Sequence, residues 1–270
     1  MSKFTLTLNS HQLSSFQRCE CSYMYSYLLH LEPTKKKAAY TKGSILGRWL
    51  NLCYHNKIKP KHSIPKVLYN PLIWTDLLSG ELGITKAEAF NFYKVLIRYS
   101  EFYKGESWKP VAIEQGFSKV LYEDDNNLFV YEGRIDLVIE TDKGYTIIDH
   151  KTQSLTYSIY EFNNQCLGYL WATNAVEFVY NYLVLTKDPK FHRAPHSFNQ
   201  NQIDAWKSET IPWFFRIKQA IQSQTFLKNL TCETKLGKCD FTTICEQPSE
   251  TVKLFIIQSN YQKRKQYRSW

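Results

Sequence analysis

The residues that could do chemistry in this 270-residue chain are concentrated between positions 114 and 169. Gly133-Arg134-Ile135-Asp136 is followed, thirteen residues after its aspartate, by Asp149-His150-Lys151. Side chains alternate along a strand, so Asp149 and Lys151 share a face. Ile147 and Ile148 precede Asp149, which places its carboxylate at the end of a buried strand, where a charge needs a partner or a metal. Asp136, between Ile135 and Leu137 on the preceding strand of the hairpin, can meet Asp149 across the ladder. Two carboxylates so close raise each other's pKa unless a cation intervenes. A hard divalent ion, Mg2+ or Mn2+, is the natural occupant, with oxygens from Asp136, Asp149 and the backbone carbonyl of His150. Glu114 is a further acidic oxygen donor. Lys151 is placed to orient a water or to stabilise charge on a phosphoryl group. Such a set cleaves phosphodiesters. A lone D-x-K triplet also arises by chance on surface hairpins. The GRID run, and Gln165 with Tyr169 on one face of the next helix, argue against chance here.

A second constellation is sulfur. Of seven cysteines, Cys232, Cys239 and Cys245 are separated by six and five intervening residues in a Thr-, Lys- and Gly-rich segment. Thiolates suit an iron–sulfur cluster or zinc, and three local ligands need a fourth; unligated thiols are the plain alternative. Cys53 and Cys166 have apolar neighbours and read as core residues. The odd count weakens a fully paired disulfide framework. The N-terminus MSKFTLTLNS lacks the apolar region of a secretory signal, and no apolar run approaches 18 residues. A cytoplasmic chain with reduced thiols and no membrane partner is therefore expected.

The elements that must position these groups follow from periodicity. Ser10 reads as the cap of a first helix, and residues 42–54 as a second, with Ile45, Leu46, Trp49, Leu50 and Leu52 as its apolar stripe. Residues 57–72 are a Lys-, Pro- and Asn-rich loop. Residues 85–104 form the clearest helix, opened by a Thr85–Glu88 capping box. Residues 111–121, 128–140 and 144–150 read as three strands joined by turns at 124–127 and 142–144. A helix over 158–174, a strand over 178–186 and a helix over 200–224, kinked or restarted at Pro212, complete an α/β fold with a mixed central sheet. The expectation is one domain: a helical region 1–110, a core 111–190, helices and cysteines over 191–250, and a basic tail 251–270.

Net charge is +9. Five basic residues of 251–270, with no acidic one, supply more than half of it. Interleaved with Tyr261, Tyr267 and Trp270, they suit a single nucleic-acid strand whose phosphates are paired and bases stacked; a solvated tail is the bland alternative. Lys35–Lys37 are either a second phosphate contact or a loop. No recognition helix or finger motif supports sequence-specific readout.

These residues resemble the PD-(D/E)xK nuclease superfamily, and within it the branch of the RecB nuclease domain, the Cas4-like exonucleases and their phage-encoded relatives. Ser14 to Cys19 is similar to that branch's opening segment. Lys42-Gly43-Ser44-Ile45-Leu46 is similar to the helix that normally ends in a metal-binding histidine. Glu114, Gly133 to Asp136, Asp149 to Lys151 and Gln165-x-x-x-Tyr169 match the core. The resemblance implies a restriction-endonuclease-like fold, with Asp136, Asp149, Lys151, Glu114, Gln165 and Tyr169 catalytic and Asp136, Asp149, His150 and Glu114 at the metal. It also implies a 4Fe-4S cluster held by Cys19, Cys232, Cys239 and Cys245, with Cys21 an alternative to Cys19. Two departures stand out: Gly47 occupies the histidine's place, with His55 two turns beyond it, and six residues rather than two separate Cys232 from Cys239.

The resulting expectation is a metal-dependent DNA exonuclease, acting on single strands, flaps or ends and leaving 5′-phosphates, in recombination, repair or mobile-element DNA processing. With no P-loop in the chain, unwinding must come from a helicase partner; a recombination or spacer-acquisition partner and a homo-oligomer are the other associations considered. The competing classes are a weakened or inactive DNA-binding scaffold on the same fold, and a restriction-type endonuclease.

Overall fold

Phe4, Leu6 and Leu8 alternate with Thr5 and Thr7, and in the computed structural model this run is a strand, β1 (Phe4–Asn9), with Leu6 and Leu8 buried. The structure describes residues 3–34, 43, 46, 47, 49–51, 53–55, 79, 80, 85–153, 163–186, 188–229, 232–234 and 237–264. Lys35–Lys37, the 57–72 loop, residues 158–162 of the expected helix and residues 265–270 lie outside that set.

Helix α1 (Ser10–Arg18) is capped by Asn9, not by Ser10. Asn9 leaves β1 in an extended conformation and its Oδ1 accepts the N–H groups of His11 and Gln12, while Gln12 Oε1 accepts the N–H of Asn9. Ser10 is already helical and buried, so its hydroxyl is one residue too late to serve. A short α2 (Glu20–Tyr23), a π-helical turn over Met24–Leu28 and β2 (Leu31–Pro33) follow. Residues 43, 46, 47, 49–51 and 53–55 are helical, as the apolar stripe predicts, with Leu46, Trp49 and Leu50 buried. Helix α3 (Lys86–Phe102) opens at the predicted capping box, with Thr85 and Glu88 exchanging backbone-to-side-chain bonds.

The three expected strands are β3 (Lys109–Glu123), β4 (Asn127–Thr141) and β5 (Gly144–Gln153). Helix α4 (Asn164–Thr173), β6 (Glu177–Val184), β7 (Lys190–His196) and α5 (Gln200–Ser223) come next. The sheet runs β1-β4-β5-β6-β7, with β3 also on β4. The β1–β4 and β5–β6 pairs are parallel, and β4–β5 and β6–β7 antiparallel, which makes the sheet mixed. The α/β class with a mixed central sheet, N-terminal helical elements and a C-terminal cysteine-bearing segment is therefore as expected.

Three features differ from the sequence reading. Strands β1 and β7 were not expected: β1 is a short run that ends at the cap of the first helix, and β7, with Arg193 and Pro195, has the polar composition tolerated at a sheet edge. Helix α5 runs through Pro212 without restarting. Its buried Ile203, Trp206, Thr210, Phe214 and Ile217 recur at helical spacing, and that stripe offsets the roughly 3 kcal/mol a helix-interior proline costs. The presumed tail is largely structured: after a β8–β9 pair (Glu233–Thr234, Gly237–Lys238) and α6 (Thr242–Cys245) come α7 (Glu250–Asn260) and β10 (Tyr261–Lys263). Strand β10 pairs antiparallel with β2, and Lys263 Nζ donates to Leu29 O at 2.8 Å. Tyr261 is buried against Phe241 and donates to Asp240 O, so its ring is not presented for base stacking.

The chain divides into two compact units, each built from separated segments. One comprises Met1–Lys36, Ser118–Gly133 and Asn201–Trp270, with a small core of Cys21, Tyr25, Leu31, Phe241, Ile244 and Tyr261. The other comprises Lys37–Phe117 and Arg134–Gln200, with Trp49, Leu96, Leu137, Ile148 and Leu183 at its centre.

Candidate active site

Glu114, Asp136, Asp149, His150, Lys151, Gln165 and Tyr169 all belong to the second unit. The β4–β5 ladder pairs Leu137 with Ile148, and at its next step Asp136 Oδ2 accepts the backbone N–H of His150 at 2.9 Å. The first carboxylate thus holds the residue between the other two site residues.

Asp149 and Lys151 share the opposite face from His150. Asp149 is 3% exposed. Lys151 Nζ lies 2.7 Å from Asp149 Oδ2, Gln165 Nε2 donates to Asp149 Oδ1 at 2.6 Å, and Lys151 Nζ donates to Gln165 Oε1 at 2.8 Å. These contacts close a triangle in which every charged atom has a complementary neighbour. Burial raises the pKa of Asp149 above the usual carboxylate range; Lys151 opposes the shift and Asp136 adds to it. Asp136 is raised as well, again chiefly by burial, with the His150 N–H pulling the other way. Two carboxylates that each resist ionising, served by one nearby ammonium, form the electrostatic setting a divalent cation relieves.

Gln165 reaches the triangle because α4 starts at the right place. Asn163 caps the helix, its Oδ1 accepting the N–H groups of Gln165 and Cys166 at 2.9 Å each, while its Nδ2 donates to the buried Tyr180 hydroxyl at 2.6 Å. One turn later Tyr169 donates to Arg134 O at 3.1 Å, two residues before Asp136, and its ring meets Phe117 edge-on. Burial pushes the Tyr169 hydroxyl up to about 12, so it stays a donor at neutral pH. Gln165 therefore serves the Asp149–Lys151 strand and Tyr169 the Asp136 strand. Cys166 between them is fully buried and its thiol is pushed up by burial, as a core residue's should be.

Glu114 adopts a left-handed backbone (φ 51°) inside β3, a conformation uncommon for a side chain of this kind. Its Oε2 lies 2.5 Å from Arg134 Nε and its Oε1 accepts from Asn51 Nδ2. Its charge is felt at Asp136. Both oxygens are thus engaged by nitrogen donors. Asn51, Asn163 and Tyr180 were missed by the sequence reading, and Arg134 was named in the Gly133–Asp136 run without a role. Arg134 was legible, standing two residues before Asp136 on one strand face; the other three depend on tertiary contacts. Gly47, in the histidine's place, is helical, and a Cβ there would meet nothing within 4 Å. Gly43 approaches β5 closely: a Cβ would sit 3.0 Å from Thr152 Oγ1.

The sulfur constellation lies in the first unit. Cys21 is buried, hydrogen-bonded to Phe226 O at 3.2 Å and to Cys245, a contact that lowers its own pKa and raises that of Cys245. Cys239 N donates to Cys232 O at 2.7 Å, and Cys232 is within electrostatic reach of Cys239, Cys245 and Cys19. The thiols gather, but among the described residues no three His, Cys, Asp or Glu side chains are arranged as a metal-holding group. The oxygen donors at Asp136 and Asp149 do suit a hard cation by their chemistry, with a main-chain oxygen and water needed to complete the shell. Among the described residues no helix is long and apolar enough to cross a membrane.

No curated protein matches the chain. Among solved structures, a candidate exonuclease from Eubacterium rectale aligns over 92% of this chain and 92% of its own, at 13% identity and a TM-score of 0.53, a likeness of fold. SSO0001 aligns over 91% and 89% at 15% identity and a TM-score of 0.41. The family model of the PD-(D/E)XK nuclease superfamily matches residues 7–246, a span that holds Glu114, Asp136, the Asp149–Lys151 pair and Gln165, and the chain belongs to that superfamily.

Proposed function

We propose that this protein is a Mg2+- or Mn2+-dependent deoxyribonuclease, an exonuclease working on single strands, flaps or ends and leaving 5′-phosphates. The observation that carries the reading is the closed Asp149–Gln165–Lys151 triangle beside Asp136. Asp136, Asp149 and the main-chain carbonyl of His150 would hold the ion, which when bound activates water and offsets charge on the phosphate. Lys151 is half-buried and tethered by Asp149 and Gln165, so its ammonium is aimed before substrate arrives and contributes no reorganisation cost at the reacting phosphate. Glu114, engaged by Arg134 and Asn51, is read as a reserve acid that shapes the field at Asp136 rather than as an obligatory ligand. A role in recombination, repair or mobile-element processing, and a motor protein as partner, follow from the family resemblance and the missing P-loop. A 4Fe-4S cluster at Cys19, Cys232, Cys239 and Cys245 enters no step of this reading; iron analysis of anaerobically purified protein tests it separately.

The test is cleavage of 5′- and 3′-labelled single- and double-stranded DNA with Mg2+ or Mn2+, and with EDTA, by wild type and Lys151→Ala. Metal-dependent release of 5′-phosphorylated nucleotides by wild type alone is the expected result. Activity surviving in Lys151→Ala removes the proposed site. A second reading, a DNA-binding scaffold, is favoured by Gly47 standing where a histidine is usual; tight DNA binding without cleavage by wild type under all these conditions would establish it.

A further inference from the structure

A buried polar chain lies on the face of the sheet opposite the Asp149–Lys151 pair, within the same unit. It begins at His150, whose Nδ1 is 2.8 Å from Asn181 Nδ2 on the paired position of β6. Asn181, fully buried, also donates to the Tyr99 hydroxyl at 2.8 Å. Tyr99 meets the Tyr54 hydroxyl at 3.4 Å, and Tyr54 donates to Glu106 Oε2 at 3.2 Å. Glu106 is ion-paired with Arg193 on β7. The guanidinium is held between the rings of Tyr103 and Trp108, 3.6 and 3.5 Å from their centres, and the His150 ring stacks on Tyr54 within 8° of parallel. Six polar side chains from five separate segments are thus linked through one core.

Such a chain is a costly way to fill a core, because well-packed apolar residues of similar volume are often equally or more stabilising. What it provides is direction: each hydrogen bond fixes an angle that apolar packing leaves soft. The one residue it shares with the candidate active site is His150. Its side chain is held by Asn181 and its N–H by Asp136, and it stands between Asp149 and Lys151.

We propose that His150 and Asn181 are positioning residues: the buried chain fixes the backbone at position 150, and through it the directions of Asp149, Lys151 and the His150 carbonyl. This rests on the nuclease reading only for its catalytic consequence; the structural claim stands apart from it.

Full-length wild type is compared with His150→Leu, His150→Asn and Asn181→Leu by hydrogen exchange resolved to individual amides in β5, by thermal melting and by nuclease kinetics. Leucine removes the polar link while filling similar volume; asparagine at 150 returns an acceptor near the place of Nδ1. The expected result is about tenfold faster exchange at amides 149–151 in both leucine variants, with amides 145–148 and the melting temperature close to wild type. His150→Asn recovers most of the protection. On the nuclease reading, kcat falls about tenfold in the leucine variants with KM within twofold. Unchanged exchange at 149–151, or a loss spread evenly over β5 and β6, overturns the positioning role whether or not the protein cuts DNA. Faster local exchange with unchanged kcat in an active wild type overturns the catalytic consequence. A wild type that does not cleave refutes the nuclease reading, while the exchange result still decides this one.

Discussion

Replacing Gln165 by leucine removes two hydrogen bonds at once and leaves the hydrocarbon volume nearly unchanged. One runs from Gln165 Nε2 to Asp149 Oδ1 at 2.6 Å, the other from Lys151 Nζ to Gln165 Oε1 at 2.8 Å. Both involve a charged partner, and such bonds contribute about 1.5–3 kcal/mol each. Lys151 retains about a quarter of its side-chain exposure, so water recovers part of the loss there. Asp149 Oδ1 has no such recourse, because its side chain is 4% exposed. A total near 3 kcal/mol, felt as misdirection of Asp149 and Lys151, corresponds to a fall of roughly a hundredfold in kcat at about 1.4 kcal/mol per tenfold. Because Gln165 bonds the proposed catalytic pair directly, the loss should fall on kcat, with KM within threefold. The Asp149–Lys151 ion pair survives, so the protein still folds, with the melting temperature lowered by roughly 6–12 °C at about 2–4 °C per kcal/mol. The assay is single-turnover and steady-state cleavage of an end-labelled single strand at saturating Mg2+, with melting followed by circular dichroism. A variant with kcat within threefold of wild type would show that the triangle does no catalytic positioning. A large loss accompanied by a collapse in melting temperature would show that Gln165 acts through stability.

Asn163→Ala removes the α4 cap and the bond to the buried Tyr180 hydroxyl, and should lower stability in urea melts by about 2 kcal/mol, with activity falling because Gln165 rides on the same helix end. Gly47→Ala should raise stability by roughly 1 kcal/mol, since the added methyl meets nothing and a helical glycine is conformationally costly; a lower melting temperature would contradict the open surroundings of that position. Burial holds the His150 imidazole down at about 4, with Asp149 and Glu106 opposing and Arg193 and Lys151 assisting, against an ordinary value of 6.5. The unfolded chain therefore takes up a proton between pH 6.5 and 4 that the folded chain refuses, so stability falls as pH drops through that window, by about 3 kcal/mol in all. His150→Asn should flatten this part of the pH–stability curve relative to wild type, and equal slopes in the two proteins would refute the assignment.

The local elements were largely legible because they depend on neighbours in the chain. The Thr85–Glu88 box, the three strands of 109–153 and the apolar stripe at Leu46, Trp49 and Leu50 are patterns of period two or 3.6, and they fold as patterned. The candidate site was legible for a related reason. A strand's alternation puts Asp149 and Lys151 on one face wherever the strand lies, and a helix turn aligns Gln165 with Tyr169. One position-specific error arose where geometry outweighed residue type, Asn9 taking the cap from Ser10; at Pro212 the buried stripe of α5 decides between the two expected outcomes by excluding a restart.

By itself, then, the sequence determined that Asp149 and Lys151 share one strand face and that Gln165 lies one helix turn from Tyr169, since strand and helix periods are local properties. Only the tertiary structure decided how those groups are held. Asp136 grips the His150 amide, Gln165 joins Asp149 to Lys151, Arg134 and Asn51 occupy Glu114, and Tyr261 leaves the presumed DNA-binding tail for a core. Each of these contacts joins residues from different strands, helices or distant segments. Which distant groups meet is set by sheet order, register and packing, and no spacing along the chain encodes that directly.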